Sequence, residues 1–177
     1  KADEPCTIVI FGASGDLTVR KLIPALYHLY IDGQMPEQFR VVGFARREKT
    51  DESWRGEMKA GIEKFSRSQK IDNAQWDAFA ANLSYHQGDL TDVGAYRGLS
   101  KKLAEFKDER LVKNLVFYLA ISPSLFGEAV DQLHETKLLH RKEDEDQFWQ
   151  RLVVEKPFGH DLQSARLLNN HLIRHAR

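Results

Sequence analysis

Cysteine is almost absent: Cys6 is the only one in 177 residues. That excludes an internal disulfide framework and a cysteine-rich zinc site. It points to a reducing compartment, with the cytoplasm as the default location. An excess of charge of one sign is also lacking, since 26 Lys plus Arg balance 26 Asp plus Glu. A broadly basic nucleic-acid-binding surface is therefore not expected. No apolar run approaches the roughly 20 residues that a membrane helix needs. The polar start Lys1-Ala2-Asp3-Glu4 is unlike a signal peptide. Neither nucleic acid nor membrane is expected as a partner. Internal repeats and low-complexity linkers are missing as well.

What is present is ordinary globular material, 42% hydrophobic and 29% charged. A chain of this length buries roughly 70% of the surface it exposes when unfolded, enough for one domain without covalent staples. Short apolar runs alternate with amphipathic stretches. Residues 7–11 are apolar and β-branched and end at Gly12, the pattern of a strand buried on both faces. Residues 16–32 carry Leu22, Leu26 and Leu29 at helical spacing, with Gly33 as a stop. Pro24 predicts either a kink there or a first turn separate from the main helix. Strands are expected at 40–45, 84–88, 115–120 and 151–155, and helices at 53–66, 74–82, 92–106, 123–139 and 161–174. Asp92 is a plausible N-cap. Residues 141–146 form a mixed charge run that reads as a solvated loop. Five strands separated by helices predict a doubly wound, Rossmann-type α/β domain with one parallel sheet in the order 3-2-1-4-5. Ligands of such sheets sit at the carboxyl ends of the strands, near the switch point.

Gly12-Ala13-Ser14-Gly15-Asp16-Leu17-Thr18 occupies the first strand-to-helix turn. Gly12 permits a tight turn, Gly15 lets a phosphate approach the backbone, and Thr18 is small enough for the helix to pack on the sheet. The helix N-terminus offers N–H groups and partial positive charge to a pyrophosphate. The motif departs from G-x-G-x-x-G in the spacing of its glycines and in its last residue. A bland glycine turn is the competing reading.

Arg46-Arg47 directly follows the second strand, where NAD binders place an acidic residue on the ribose 2′-hydroxyl. Two guanidiniums there favour a 2′-phosphate, hence NADP; the alternative is a solvated surface pair. The separation of Gly15 from Arg46 exceeds the usual ~20 residues, so the first helix or its loop must be long. Asp89 and Leu90 end the third strand. Asp89 is either an acceptor for an adenine amino group or a turn carboxylate, and Leu90 is placed to cover a ring face. Lys156, in Glu155-Lys156-Pro157-Phe158-Gly159, ends the fifth strand, where a lysine suits an anionic or hydroxylated substrate; a surface lysine is the plain reading. His171 and His175 have i, i+4 spacing but no H-E-x-x-H context, so no metal is expected. Tyr-x-x-x-Lys and Gly-x-Ser-x-Gly are both absent.

Taken in order, residues 10–17, 21–26, 43–46 and 154–159 resemble the amino-terminal coenzyme domain of the glucose-6-phosphate dehydrogenases, from about Pro5 to the end. The resemblance implies NADP held by Gly12, Ala13, Ser14, Gly15, Asp16, Leu17, Thr18 and Val19. It puts the 2′-phosphate on Arg46, with further contacts from Asp89, Leu90 and Lys156. Lys156 would also touch glucose 6-phosphate, the substrate oxidised at C1. Thr18 replaces the family's usual alanine, and Ile121-Ser122-Pro123 stands where Leu-Pro-Pro or Met-Pro-Pro is familiar. The family's Asp-His-Tyr-Leu-Gly-Lys-Glu block does not occur in residues 1–177. The resemblance therefore implies a coenzyme domain with no catalytic residue of its own. The substrate and dimerisation domain, through which any homo-oligomer would form, is expected outside this chain. Two other readings stay open: another sugar oxidoreductase with a Glu-Lys-Pro after its Rossmann half, and a non-catalytic NADP-binding sensor.

Overall fold

The strand at the centre of the sheet is the most apolar one. In β1, Cys6–Phe11, all six residues are buried, because helices cover both faces and no side chain is left for water. The computed structural model describes residues 4–65, 71–140 and 148–154. β2 (Phe39–Ala45) lies on one side of β1 and β4 (Leu115–Leu119) on the other. β3 (Leu83–Gln87) flanks β2 and β5 (Gln150–Val154) flanks β4. All four pairings are parallel and the order is β3-β2-β1-β4-β5, as the sequence predicts.

Strand alternation divides the core in two. Ile8, Ile10, Val41, Val116 and Tyr118 face a layer formed by α1 (Ile23–Ile31), α2 (Asp51–Phe65) and α3 (Asn73–Ala80). Val9, Phe11, Val42, Phe44, Phe117 and Leu119 face α4 (Val93–Ala104) and α6 (Phe126–Glu135). At the amino ends of the strands, buried Asn114 donates to the Pro5 carbonyl (3.1 Å) and accepts from the Trp149 N–H (3.1 Å). It thereby ties the starts of β1, β4 and β5 together.

The differences from expectation have local causes. The break at Pro24 takes the form of a widened turn: Thr18–Leu22 is π-helical, and the Ile23 N–H donates to the Thr18 carbonyl five residues back. Pro24 has no N–H to continue an α-register from the turn before it and its ring crowds the carbonyl four residues earlier, which a π-turn relieves. α2 starts at Asp51 because Thr50 and Ser53 cap each other, each hydroxyl accepting the other's backbone N–H at 3.0 Å. The Asp92 carboxylate accepts from the Gly94 N–H, the expected cap of α4. The 123–139 helix is shorter than expected: a 3₁₀ turn at Pro123–Leu125 leads into α6, and the chain leaves it through Lys137 at φ 62°. A short helix not expected at all, α5 (Glu109–Lys113), is capped by Asp108 and buries a single residue, Leu111. The expected helix at 161–174 and the charge run at 141–146 lie outside the described residues.

Candidate functional site

β1 leaves the sheet at its carboxyl end through a turn with little freedom. Gly12 has φ 89°, and a Cβ on it would stand 2.2 Å from the Ala120 carbonyl oxygen at the exit of β4. Only glycine satisfies both conditions. The N–H groups of Gly12 and Ala13 both donate to the Phe44 carbonyl (2.9 and 3.3 Å), tying the turn to β2. The Gly12 carbonyl accepts from the Gly15 N–H (2.9 Å) and from the Thr18 hydroxyl (2.9 Å). Thr18 is fully buried. It does more than leave room for packing, since its hydroxyl closes the turn from inside the helix.

The turn has a second brace that the sequence does not announce. The buried Trp54 indole donates from Nε1 to the Ala13 carbonyl at 3.0 Å. Its ring lies against Gly43, where a Cβ would come within 2.6 Å of it. No spacing rule links residue 54 to residue 13; the one available signal is that a buried indole N–H needs an acceptor.

Above this frame begins the helix that carries the remaining motif residues. Among the described residues a Cβ on Gly15 would meet the Gly12 carbonyl oxygen alone, a tight contact at 3.2 Å. The backbone N–H groups of the first helical turn have no intrahelical acceptor and carry the positive end of the helix dipole. Ser14 is half-buried, and Asp16 is exposed and pairs with Arg20 at 2.9 Å. Leu17 and Val19 turn inward and pack on the core, Val19 against α2 at Gly61. Beside Ser14 and the Asp16–Arg20 pair, what the segment offers outward is backbone, which suits a phosphate cradle.

Arg46 and Arg47 stand immediately after β2, both exposed. Neither forms an ion pair among the described residues. Their backbone is held from the neighbouring strand: the Tyr85 hydroxyl donates to the Arg47 carbonyl (2.6 Å) and Gln87 Nε2 to the Arg46 carbonyl (3.3 Å). The long connection expected between Gly15 and Arg46 is the π-turn, α1 and the loop of residues 32–38.

Asp89 and Leu90 follow β3 at the same edge. Asp89 acts as a turn carboxylate, Oδ1 accepting from the Thr91 N–H (2.9 Å) and hydroxyl (2.8 Å). Those two bonds, with a smaller contribution from Arg46, hold its carboxyl below the usual carboxylate range. Leu90 is half-buried against the α4 side of the core, its carbonyl accepting from the Tyr96 hydroxyl at 2.8 Å. β5 ends at Val154, and Lys156 with its neighbours Glu155, Pro157, Phe158 and Gly159 lies outside the described residues. So do His171 and His175; among the described residues no three His, Cys, Asp or Glu are grouped to hold a metal. No helix among them is long and apolar enough to cross a membrane.

The structure thus brings the Gly12–Val19 turn, Arg46, Arg47, Asp89 and Leu90 to one edge of the sheet. Comparison with known proteins finds the same domain. A glucose-6-phosphate 1-dehydrogenase of Chlamydia pneumoniae is 43% identical over 165 residues, which are 93% of this chain and 32% of that protein. Its counterpart from Bacillus subtilis (strain 168) is 40% identical over 166 residues, with the same coverage of 93% and 32%. A solved glucose-6-phosphate dehydrogenase in complex with its substrate glucose-6-phosphate matches with TM-score 0.75 at 34% identity, over 100% of this chain and 35% of that one. The chain spans about a third of the length of these relatives. The family described as "Glucose-6-phosphate dehydrogenase, NAD binding domain" matches residues 9–177. A match over nearly the whole chain, on a sheet whose switch point carries the motif, makes this chain a member of that family.

Proposed function

We propose that residues 1–177 are a Rossmann-type NADP-binding domain of a glucose-6-phosphate dehydrogenase. The pyrophosphate lies on the turn of Gly12, Ala13, Ser14 and Gly15 and on the first backbone N–H groups of the helix, at Asp16 and Leu17. Thr18 and Val19 fix that helix from beneath. Arg46, helped by Arg47, takes the 2′-phosphate. Asp89 and Leu90 border the adenine, and Lys156 serves the nicotinamide end and the sugar phosphate. Bound NADP supplies a hydride acceptor for oxidation of D-glucose 6-phosphate at C1 to 6-phosphogluconolactone. This chain's part is to bind and orient; the base that takes the C1 hydroxyl proton comes from sequence outside it.

The observation that carries the coenzyme choice is the pair of exposed guanidiniums beside the end of β2, which form no ion pair among the described residues. A charge-assisted contact to a 2′-phosphate contributes about 1.5–3 kcal/mol, or roughly 10- to 100-fold in affinity. Arg46→Ala is therefore expected to weaken NADP by about that factor and NAD hardly at all, the loss being smaller where Arg47 shares the phosphate. Titration of both coenzymes against parent and variant tests this. Equal losses would remove the 2′-phosphate from Arg46.

A further inference from the structure

The chain must cross from the end of β2 at Ala45 to the start of α2 at Asp51, and the crossing carries Arg46 and Arg47. A guanidinium on a long side chain loses rotamer freedom when it grips a phosphate, and a loose backbone beneath it adds to that cost. The crossing is not loose. One residue of the edge strand β3 holds it at two points. The Tyr85 hydroxyl donates to the Arg47 carbonyl at 2.6 Å, and the Tyr85 backbone N–H donates to Asp51 Oδ1 at 2.7 Å. Gln87, two residues on, reaches the Arg46 carbonyl at 3.3 Å.

Tyr85 is itself fixed. It is 6% exposed, and its ring lies 5.8 Å from that of Trp54, whose indole holds the Ala13 carbonyl. Ala13, Trp54, Tyr85 and Arg47 form one packed line from the glycine turn to the two arginines. Burial, with the charge of Glu57, raises the Tyr85 hydroxyl pKa against the opposing effect of Arg47, so the hydroxyl stays a donor.

We propose that Tyr85 is a positioning residue that sets preference for the 2′-phosphorylated coenzyme, by fixing the backbone on which Arg46 and Arg47 stand. The inference rests on the reading that these arginines take the 2′-phosphate. A coenzyme without that phosphate makes no demand on the crossing. Loss of the hydroxyl is then felt by NADP and not by NAD, whereas a general structural defect would weaken both.

The test is titration of this 177-residue chain with NADP, NAD and adenosine 2′,5′-bisphosphate, which carries the 2′-phosphate without the nicotinamide half. Tyr85→Phe keeps the ring and its packing. It is expected to weaken NADP and the bisphosphate about three- to tenfold and NAD less than about twofold, the scale of one net hydrogen bond. In an Arg46→Ala/Arg47→Ala background the same change should have no further effect on NADP. Equal losses for NADP and NAD, or no loss for either, overturn the inference. If Arg46→Ala is nonetheless selective against NADP, the 2′-phosphate reading survives and Tyr85 alone is misassigned. If Arg46→Ala is also unselective, the reading itself fails and the inference falls with it.

Discussion

Two glycines three residues apart meet very different surroundings. Gly12 faces protein: its φ is 89° and an added Cβ would collide with the Ala120 carbonyl at 2.2 Å. Gly15 is less confined: among the described residues its added Cβ would press on the Gly12 carbonyl alone, at 3.2 Å. Gly12→Ala is therefore expected to cost the fold about 3 kcal/mol or more, combining left-handed strain with a backbone clash. Gly15→Val should cost the fold less than Gly12→Ala, since only the Gly12 carbonyl at 3.2 Å must give, and should abolish NADP binding, because the branched side chain would stand where the pyrophosphate is proposed to lie. Urea unfolding followed by circular dichroism separates the two, with a coenzyme titration on whichever variant folds. A Gly15→Val chain that binds as well as its parent would mean the phosphates lie elsewhere. The tight turn at Gly12 was legible from the motif, as was the inward place of Thr18. Trp54 and Tyr85 were not, because their contacts to residues 13 and 47 span 41 and 38 positions. Nothing in local sequence pattern encodes a distance of that kind.

Among elements, the order of the sheet was readable and the boundaries less so. Apolar, β-branched runs punctuated by helical spacing dictate five parallel strands in the order β3-β2-β1-β4-β5. α5 escaped because five residues with one buried side chain carry no periodicity. The edge at β3 shows what pattern reading leaves out. Its outward backbone groups are an open template for another strand, yet α2 covers two of them: Arg55 gives two bonds to the Leu83 carbonyl (2.9 and 2.6 Å) and Asp51 takes the Tyr85 N–H. Arg55→Met keeps most of the side-chain bulk and removes the two donors. It is expected to lower stability by about 1–2 kcal/mol, since bonds from a charged donor to a part-buried carbonyl exceed the ordinary net hydrogen bond. The exposed edge should also raise light scattering as the chain is concentrated. An unchanged urea midpoint would show that water replaces the guanidinium at no cost.

For the molecule as a whole, the sheet divides the work across its switch point. β2 and β3 lead into Arg46, Arg47, Asp89 and Leu90, the residues that the proposed reading gives to the adenosine half of a dinucleotide. On the same proposal the ends of β4 and β5 are left to the nicotinamide half, and Lys156 follows β5 in sequence. Hydride transfer from C1 of a sugar needs a base for the hydroxyl proton as well as a well-placed acceptor. No residue of the motifs read in this chain fits that role, and the chain spans about a third of the length of its relatives. We therefore expect these 177 residues to bind NADP and yet produce no NADPH with glucose 6-phosphate. A protein extended to the relatives' length should restore the reaction, because proximity and base then act together. In that longer protein Lys156→Ala should raise KM for the sugar phosphate and lower kcat, one ammonium serving both substrate and coenzyme. NADPH absorbance in the presence of both ligands, measured on the two lengths, decides the matter. Turnover by the short chain would place a base among residues given none here. A long protein that binds NADP without reducing it would instead favour a non-catalytic sensor of the coenzyme.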